Sequence, residues 1–121
     1  MMTEQENKCF QEGRRLFNAG YYFEAHEEWE QIWLHRLNDD RLFFQGLILL
    51  TGSFCHFKKK KWQAAQKAMH KALIKLDTYG PVYCGVSIQM IQNLVSQNLK
   101  LIDLNQFESL IWPHQQMPFQ L

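Results

Sequence analysis

Residues 42–57 constrain this chain more than any other stretch. Those positions are apolar except for Gln45, Thr51, Ser53 and His56, and glycine stands only at 46 and 52. The run falls short of the roughly 20 residues that a bilayer requires, and its polar interruptions argue further against a membrane span. It predicts a helix with apolar side chains nearly all round, and such a helix must be covered by its neighbours. The rest of the chain is therefore expected to wrap it.

Four further helices can be read around that centre. Thr3 with Glu6 three places on forms a capping box, in which each side chain satisfies an open amide at a helix start. A first helix over 4–19 follows, with Cys9, Phe10, Gly13, Leu16 and Phe17 inward, and Gly20 ends it. A second spans 22–37, with Tyr22, Ala25, Trp29, Ile32 and Trp33 on helical spacing, and Asn38-Asp39 supplies the break. The central helix covers 40–59. A fourth over 62–79 turns Ala65, Ala68, Met69, Ala72, Leu73 and Leu76 inward. Gly80-Pro81 breaks the chain, an irregular segment reaches Gly85, and Ser87 caps a fifth helix over 88–102.

A shift of forty places lays Phe17 on Phe57, Tyr22 on Trp62, Ala25 on Ala65, Trp29 on Met69 and Trp33 on Leu73. Helices one and two, and three and four, then form two helical hairpins of one type, similar to tetratricopeptide pairs with a long period. Hairpins of this kind bury their apolar faces by stacking. The expected fold class is all-α: a right-handed bundle or short solenoid of five helices in stacked antiparallel hairpins. It occupies 1–104 as one domain, with residues 105–121 as a C-terminal extension. The extension carries Phe107, Leu110, Ile111, Trp112 and Phe119, and is expected to dock or to bind a partner.

The chain is 121 residues with a formal net charge of +1, so it has no overall field to draw in nucleic acid or an anionic membrane. Lys58 to Lys61 reads as a solvated corner, since no aromatic platform or second basic cluster accompanies it. Neither nucleic-acid binding nor membrane insertion is expected. Cys9, Cys55 and Cys84 are odd in number and far apart, the pattern of reduced thiols in a cytoplasmic protein, and the first eight residues carry no secretory signal.

Residues 20–33 place five aromatic rings, four carboxylates and His26 on one helix. His26, Glu30 and Trp33 form one column, and an imidazole and a carboxylate four apart can share a divalent transition metal. Arg41, Gln45, Gly52 and His56 make a narrow stripe on the central helix. Buried Gln and His need partners, because an unsatisfied buried polar group costs roughly 1 to 3 kcal/mol. The reading is a buried polar cluster where helices two and three cross, with His26, Glu30, Gln45 and His56 bonded together, ringed by Tyr22, Trp29 and Trp33. Glu27 is placed to join as ligand, acceptor or general base.

The stretch Phe17-Asn18-Ala19-Gly20-Tyr21-Tyr22-Phe23-Glu24-Ala25-His26-Glu27-Glu28-Trp29-Glu30, with Gln45-Gly46-Leu47-Ile48 and His56, resembles the DUF309 family of small all-helical proteins. The likeness runs over about 12–99. The resemblance implies a His-x-x-x-Glu-x-x-(Trp/Tyr) motif, matched by His26, Glu30 and Trp33 and suggested in that family to bind metal. Lys60-Lys61 stands where similar proteins usually have Gly-Asn, and Ser87 where an Asp is common. The first functional expectation is a non-enzymatic binding module for a protein or peptide, with Tyr22, Glu27, Trp33, Arg41, Gln45 and His56 around the cluster. A metal-binding or metal-dependent protein using His26 and Glu30, and a small-ligand pocket, are the alternatives.

Overall fold

In the computed structural model, which describes residues 2–36 and 39–115, five helices follow one another: α1 (Glu4–Asn18), α2 (Tyr22–Trp33), α3 (Arg41–Lys58), α4 (Trp62–Leu76) and α5 (Ile88–Asp103). The described residues are all-α apart from one small antiparallel hairpin, Val82–Tyr83 with Val86–Ser87, which closes the segment read as irregular. Three short 3-10 turns, at Asp77–Tyr79, Phe107–Ser109 and Pro113–Gln115, complete it. Consecutive helices pack on one another, and α3 with α4 forms the broadest contact.

The helix starts follow the local chemistry. Glu6 N–H donates to the Thr3 hydroxyl and Thr3 N–H to the Glu6 carboxylate, so the capping box is complete. Ser87 accepts from Met90 N–H at the start of α5. Two ends come earlier than the periodicity suggests. α2 stops at Trp33, and α4 gives way to a 3-10 turn after Leu76. The expected break at Asn38 lies outside the described residues, and α3 begins after Asp40, whose carboxylate serves Arg36 in place of a cap.

The forty-residue repeat is present in the main chain. Gly20 (φ 90°) and Lys60 (φ 57°) are both left-handed. Gly20 N–H donates to Phe17 O and Lys60 N–H to Phe57 O, while Tyr21 N–H donates to Leu16 O and Lys61 N–H to His56 O. These are two copies of one helix-ending motif, the reversed turn that closes carbonyls at a helix C-terminus. The inward residues of α2, Tyr22, Ala25, Trp29 and Ile32, correspond to Trp62, Ala65, Met69 and Ala72 of α4.

Two glycines set the helix spacing. A Cβ at Gly13 would lie 2.2 Å from Trp29 Nε1, and one at Gly46 would lie 2.6 Å from Leu76 Cγ. The indole of Trp29, fully buried, fills the space that Gly13 leaves and donates to the Phe10 carbonyl at 3.2 Å. The core continues through Phe10, Phe17, Phe43, Phe44, Phe54 and Phe57. Arg36 is 5% exposed and ties three segments together: it grips Asp40 through two bonds of 2.8 and 2.7 Å and Glu6 through two of 2.9 and 3.0 Å, above the Phe44 ring.

Candidate functional site

α3 departs from the expectation of a fully covered helix. Phe43, Phe44, Leu47, Leu50, Thr51, Phe54 and Phe57 are buried, but Leu42 is exposed and Arg41, Gln45, Ile48, Leu49, Gly52, Cys55 and His56 are only half-buried. These residues make one stripe along the helix. The neighbours α2 and α4 cover two flanks of α3 and leave this third side open.

α2 presents a matching edge. His26, Glu30 and Trp33 each follow a buried residue, Ala25, Trp29 and Ile32, and so sit about 100° further round the helix. That offset moves the column from the packed face to its margin. At one end of the α2–α3 seam the Arg41 guanidinium lies over the Trp33 ring at 4.2 Å. At the other, Tyr22 stacks on Phe54 at 5.1 Å. The helices therefore run antiparallel, and the two margins share one side of the seam.

His26 Nε2 and Glu30 Oε2 are 3.6 Å apart, with side chains 29% and 44% exposed. Phe23, largely exposed, lies nearly parallel to the His26 ring with centroids 6.5 Å apart. Glu27 is exposed one position further round. Gln45 and His56 are half-buried, and among the described residues neither is hydrogen-bonded to His26 or Glu30. The buried, self-bonded cluster is thus corrected to an open stripe, because the inward positions of α2 belong to Tyr22, Ala25, Trp29 and Ile32.

Two polar atoms on this stripe are buried without a hydrogen-bond partner, Trp33 Nε1 and Arg41 Nε. Both are donors, and they belong to the two stacked groups. A Cβ built on Gly52, mid-stripe, would meet nothing within 4 Å. Among the described residues no group of three or more His, Cys, Asp or Glu gathers as metal ligands, so His26 and Glu30 form a set of two. The three cysteines are free thiols. Burial raises the pKa of Cys55 despite Lys58 and Lys59 nearby.

Tyr22 leaves this site altogether. Its ring stands in the core against Phe17 and Phe54, and its hydroxyl meets His114 Nδ1 at 2.7 Å. Burial holds that phenol far above its ordinary pKa.

The sequence model of DUF309, a domain of unknown function, matches residues 10–68. This stretch is a DUF309 domain. Neither the curated proteins nor the solved structures gave a match to the chain. Both margins of the stripe lie inside the DUF309 region, as does the motif of His26, Glu30 and Trp33. Two residues that the sequence did not single out lie away from the stripe: Arg36, in the α2–α3 connection inside the matched region, and Asn98 on α5, beyond it; His114, expected from sequence as a surface residue, meets the Tyr22 hydroxyl. Asn98 could have been noticed, since it occupies the inward column of Ile91, Leu94, Val95 and Ile102 and is itself fully buried. Among the described residues no helix is long and apolar enough to cross a membrane.

Proposed function

We propose that this DUF309 domain is a non-enzymatic binding module whose α2–α3 stripe receives an acceptor-bearing segment of a protein partner, a carboxylate or an exposed carbonyl. The two unpartnered donors at Trp33 and Arg41 carry the reading. A buried donor without an acceptor costs roughly 1 to 3 kcal/mol, and folded proteins leave few of them. An acceptor brought to this point would relieve both, while Phe23, Ile48 and Leu49 supply apolar contact and Gly52 leaves room. Exposed apolar groups edged by polar ones are the usual make-up of such surfaces.

The test follows the Trp33 indole N–H and Arg41 Nε–H resonances while N-acetyl-aspartate amide is added. Saturable shifts of both, lost in Arg41→Gln, support the reading. Unmoved resonances at millimolar probe, together with no crosslinked partner from a photoreactive residue at position 52, would sink it.

The His26–Glu30 distance supports a second reading, a divalent transition metal held by these two side chains with donors from a bound partner. Two zinc bonds of about 2.0–2.1 Å at a tetrahedral angle leave their ligand atoms near this separation. A zinc-induced rise in melting temperature that disappears in His26→Ala would favour it.

A further inference from the structure

The inward side of the two hairpins holds a different feature, independent of the α2–α3 stripe. Residues 110–112 lie there outside any helix or strand, with Leu110 at φ −57°, ψ 140°, which is polyproline-like geometry, and the 3-10 turn Pro113–Gln115 follows. Among the described residues, 110–115 make no main-chain hydrogen bond to the main chain of any helix. Side chains hold the segment instead. Asn98, fully buried on α5, donates through Nδ2 to Ile111 O at 2.9 Å and accepts from Ile111 N–H at 2.7 Å. One side-chain amide thereby reads both polar groups of one residue, as a neighbouring strand would.

The next residue, Trp112, sits among Tyr22, Phe54 and Phe57 at centroid distances of 6.1, 5.9 and 5.8 Å. Pro113 is buried, and His114 reaches the Tyr22 hydroxyl through both Nδ1 and its own N–H. Gly20 permits that approach, since a Cβ there would stand 2.9 Å from His114 Cγ. Lys58 fixes the same corner by donating to Gly20 O at 2.9 Å and lying over Tyr22.

Main-chain bonds for affinity and pockets for particular side chains are how folded domains capture extended peptides. The cage of Tyr22, Phe54, Phe57, Lys58 and Gly20 lies within residues 10–68, whereas the segment filling it lies outside the matched family region. We infer that this cage, with Asn98, is a peptide-binding groove occupied in cis by the chain's own segment 110–114. Its trans ligand is an extended peptide of a partner protein carrying an aliphatic residue followed by Trp-Pro. The resident segment is autoinhibitory and the chain is a monomer. A tethered competitor acts at an effective concentration on the order of millimolar, so displacing it should raise apparent affinity by about tenfold or more.

The probe is a fluorescein-labelled peptide with the sequence of residues 106–116, read by anisotropy against the full chain. Full-length Trp112→Ala, whose own segment has lost its anchor, should bind at least about tenfold more tightly than the unaltered chain. Adding Asn98→Ala, or replacing the tryptophan in the probe, should abolish the gain. Equal affinities with native helicity, binding indifferent to Asn98, or a dimer formed by exchanged tails would overturn the proposal. Should Trp112→Ala lose its helicity, a protease site placed between Asn105 and Gln106 of the otherwise unaltered chain is cut after folding. Exchange of the nicked segment for labelled peptide supports the groove; retention without exchange, or helix loss on its release, refutes it.

Discussion

Gly13→Ala offers the sharpest test of how α1 and α2 meet. In an open helix this change would stabilise by about 1 kcal/mol, since alanine is the better helix former. At Gly13 the new Cβ would stand 2.2 Å from Trp29 Nε1 and 2.6 Å from Cδ1 and Cε2. Neither side can yield cheaply, because a Cβ is fixed by its backbone and the indole is fully buried with its N–H bonded to Phe10 O. Overpacking costs about 1–3 kcal/mol, and loss of that bond would leave a buried donor at a similar cost. Set against the propensity gain, the net loss is about 1–5 kcal/mol. For a chain of this size that lowers the melting point by roughly 5–20 °C. Gly52→Ala is the matched control, because its Cβ meets open space within α3, and it should stabilise by about 0.5–1 kcal/mol. Thermal and urea unfolding followed by tryptophan fluorescence measures both. The same sign of change in the two variants would refute the packing argument.

Arg36→Met should cost about 3 kcal/mol in urea unfolding, since it leaves the Glu6 and Asp40 carboxylates facing an apolar neighbour. The Thr3 amide and Arg36 hold Glu6 below its usual range, and Arg36 does the same for Asp40, so their contribution is full above about pH 4.5 and fades as pH falls through the lowered values. The acid limb of the stability profile should accordingly be shallower in Arg36→Met. Burial, with Lys58 adding to it, lowers the His114 pKa, so the docked segment should hold above about pH 6.5 and loosen progressively below it. Trp112 emission titrated in the unaltered chain and in His114→Gln checks this, the variant showing no such loosening. His26→Ala should change stability by less than about 0.5 kcal/mol, as expected of a partly exposed pair four residues apart. Lys60→Gly should stabilise by about 1 kcal/mol, because lysine there is left-handed.

What could be read from sequence was what neighbours in the chain decide. Thr3 with Glu6, Ser87, and the turn at Gly20 act over three or four residues, and the structure keeps all three. The forty-residue shift worked because it carries the turn geometry of Gly20 to Lys60 along with the inward side chains. The site was less legible. Periodicity placed His26, Glu30, Gln45 and His56 on narrow stripes but could not say that those stripes stop at the margin of the packed face. Tyr22 shows the reverse failure: its ring and hydroxyl suited a pocket, yet its partner is His114, 92 residues away. Arg36 was hidden for a related reason, since the periodic pattern carries the helix on to 37 whereas the chain leaves helical geometry after Trp33.

Glu6 joins a local signal to a distant one. Its Oε1 accepts from Thr3 N–H, completing the first turn of α1, and also from Arg36, which binds Asp40 before α3. Helix ends ordinarily fray on their own, with amides that exchange far faster than the core. Here, opening the first turn of α1 means releasing the buried guanidinium 30 residues away, so the two segments should open as a single cooperative unit. Amides just after Thr3 and those of the first turn of α3 should therefore share one exchange rate, and they should lose it together when Arg36 is replaced.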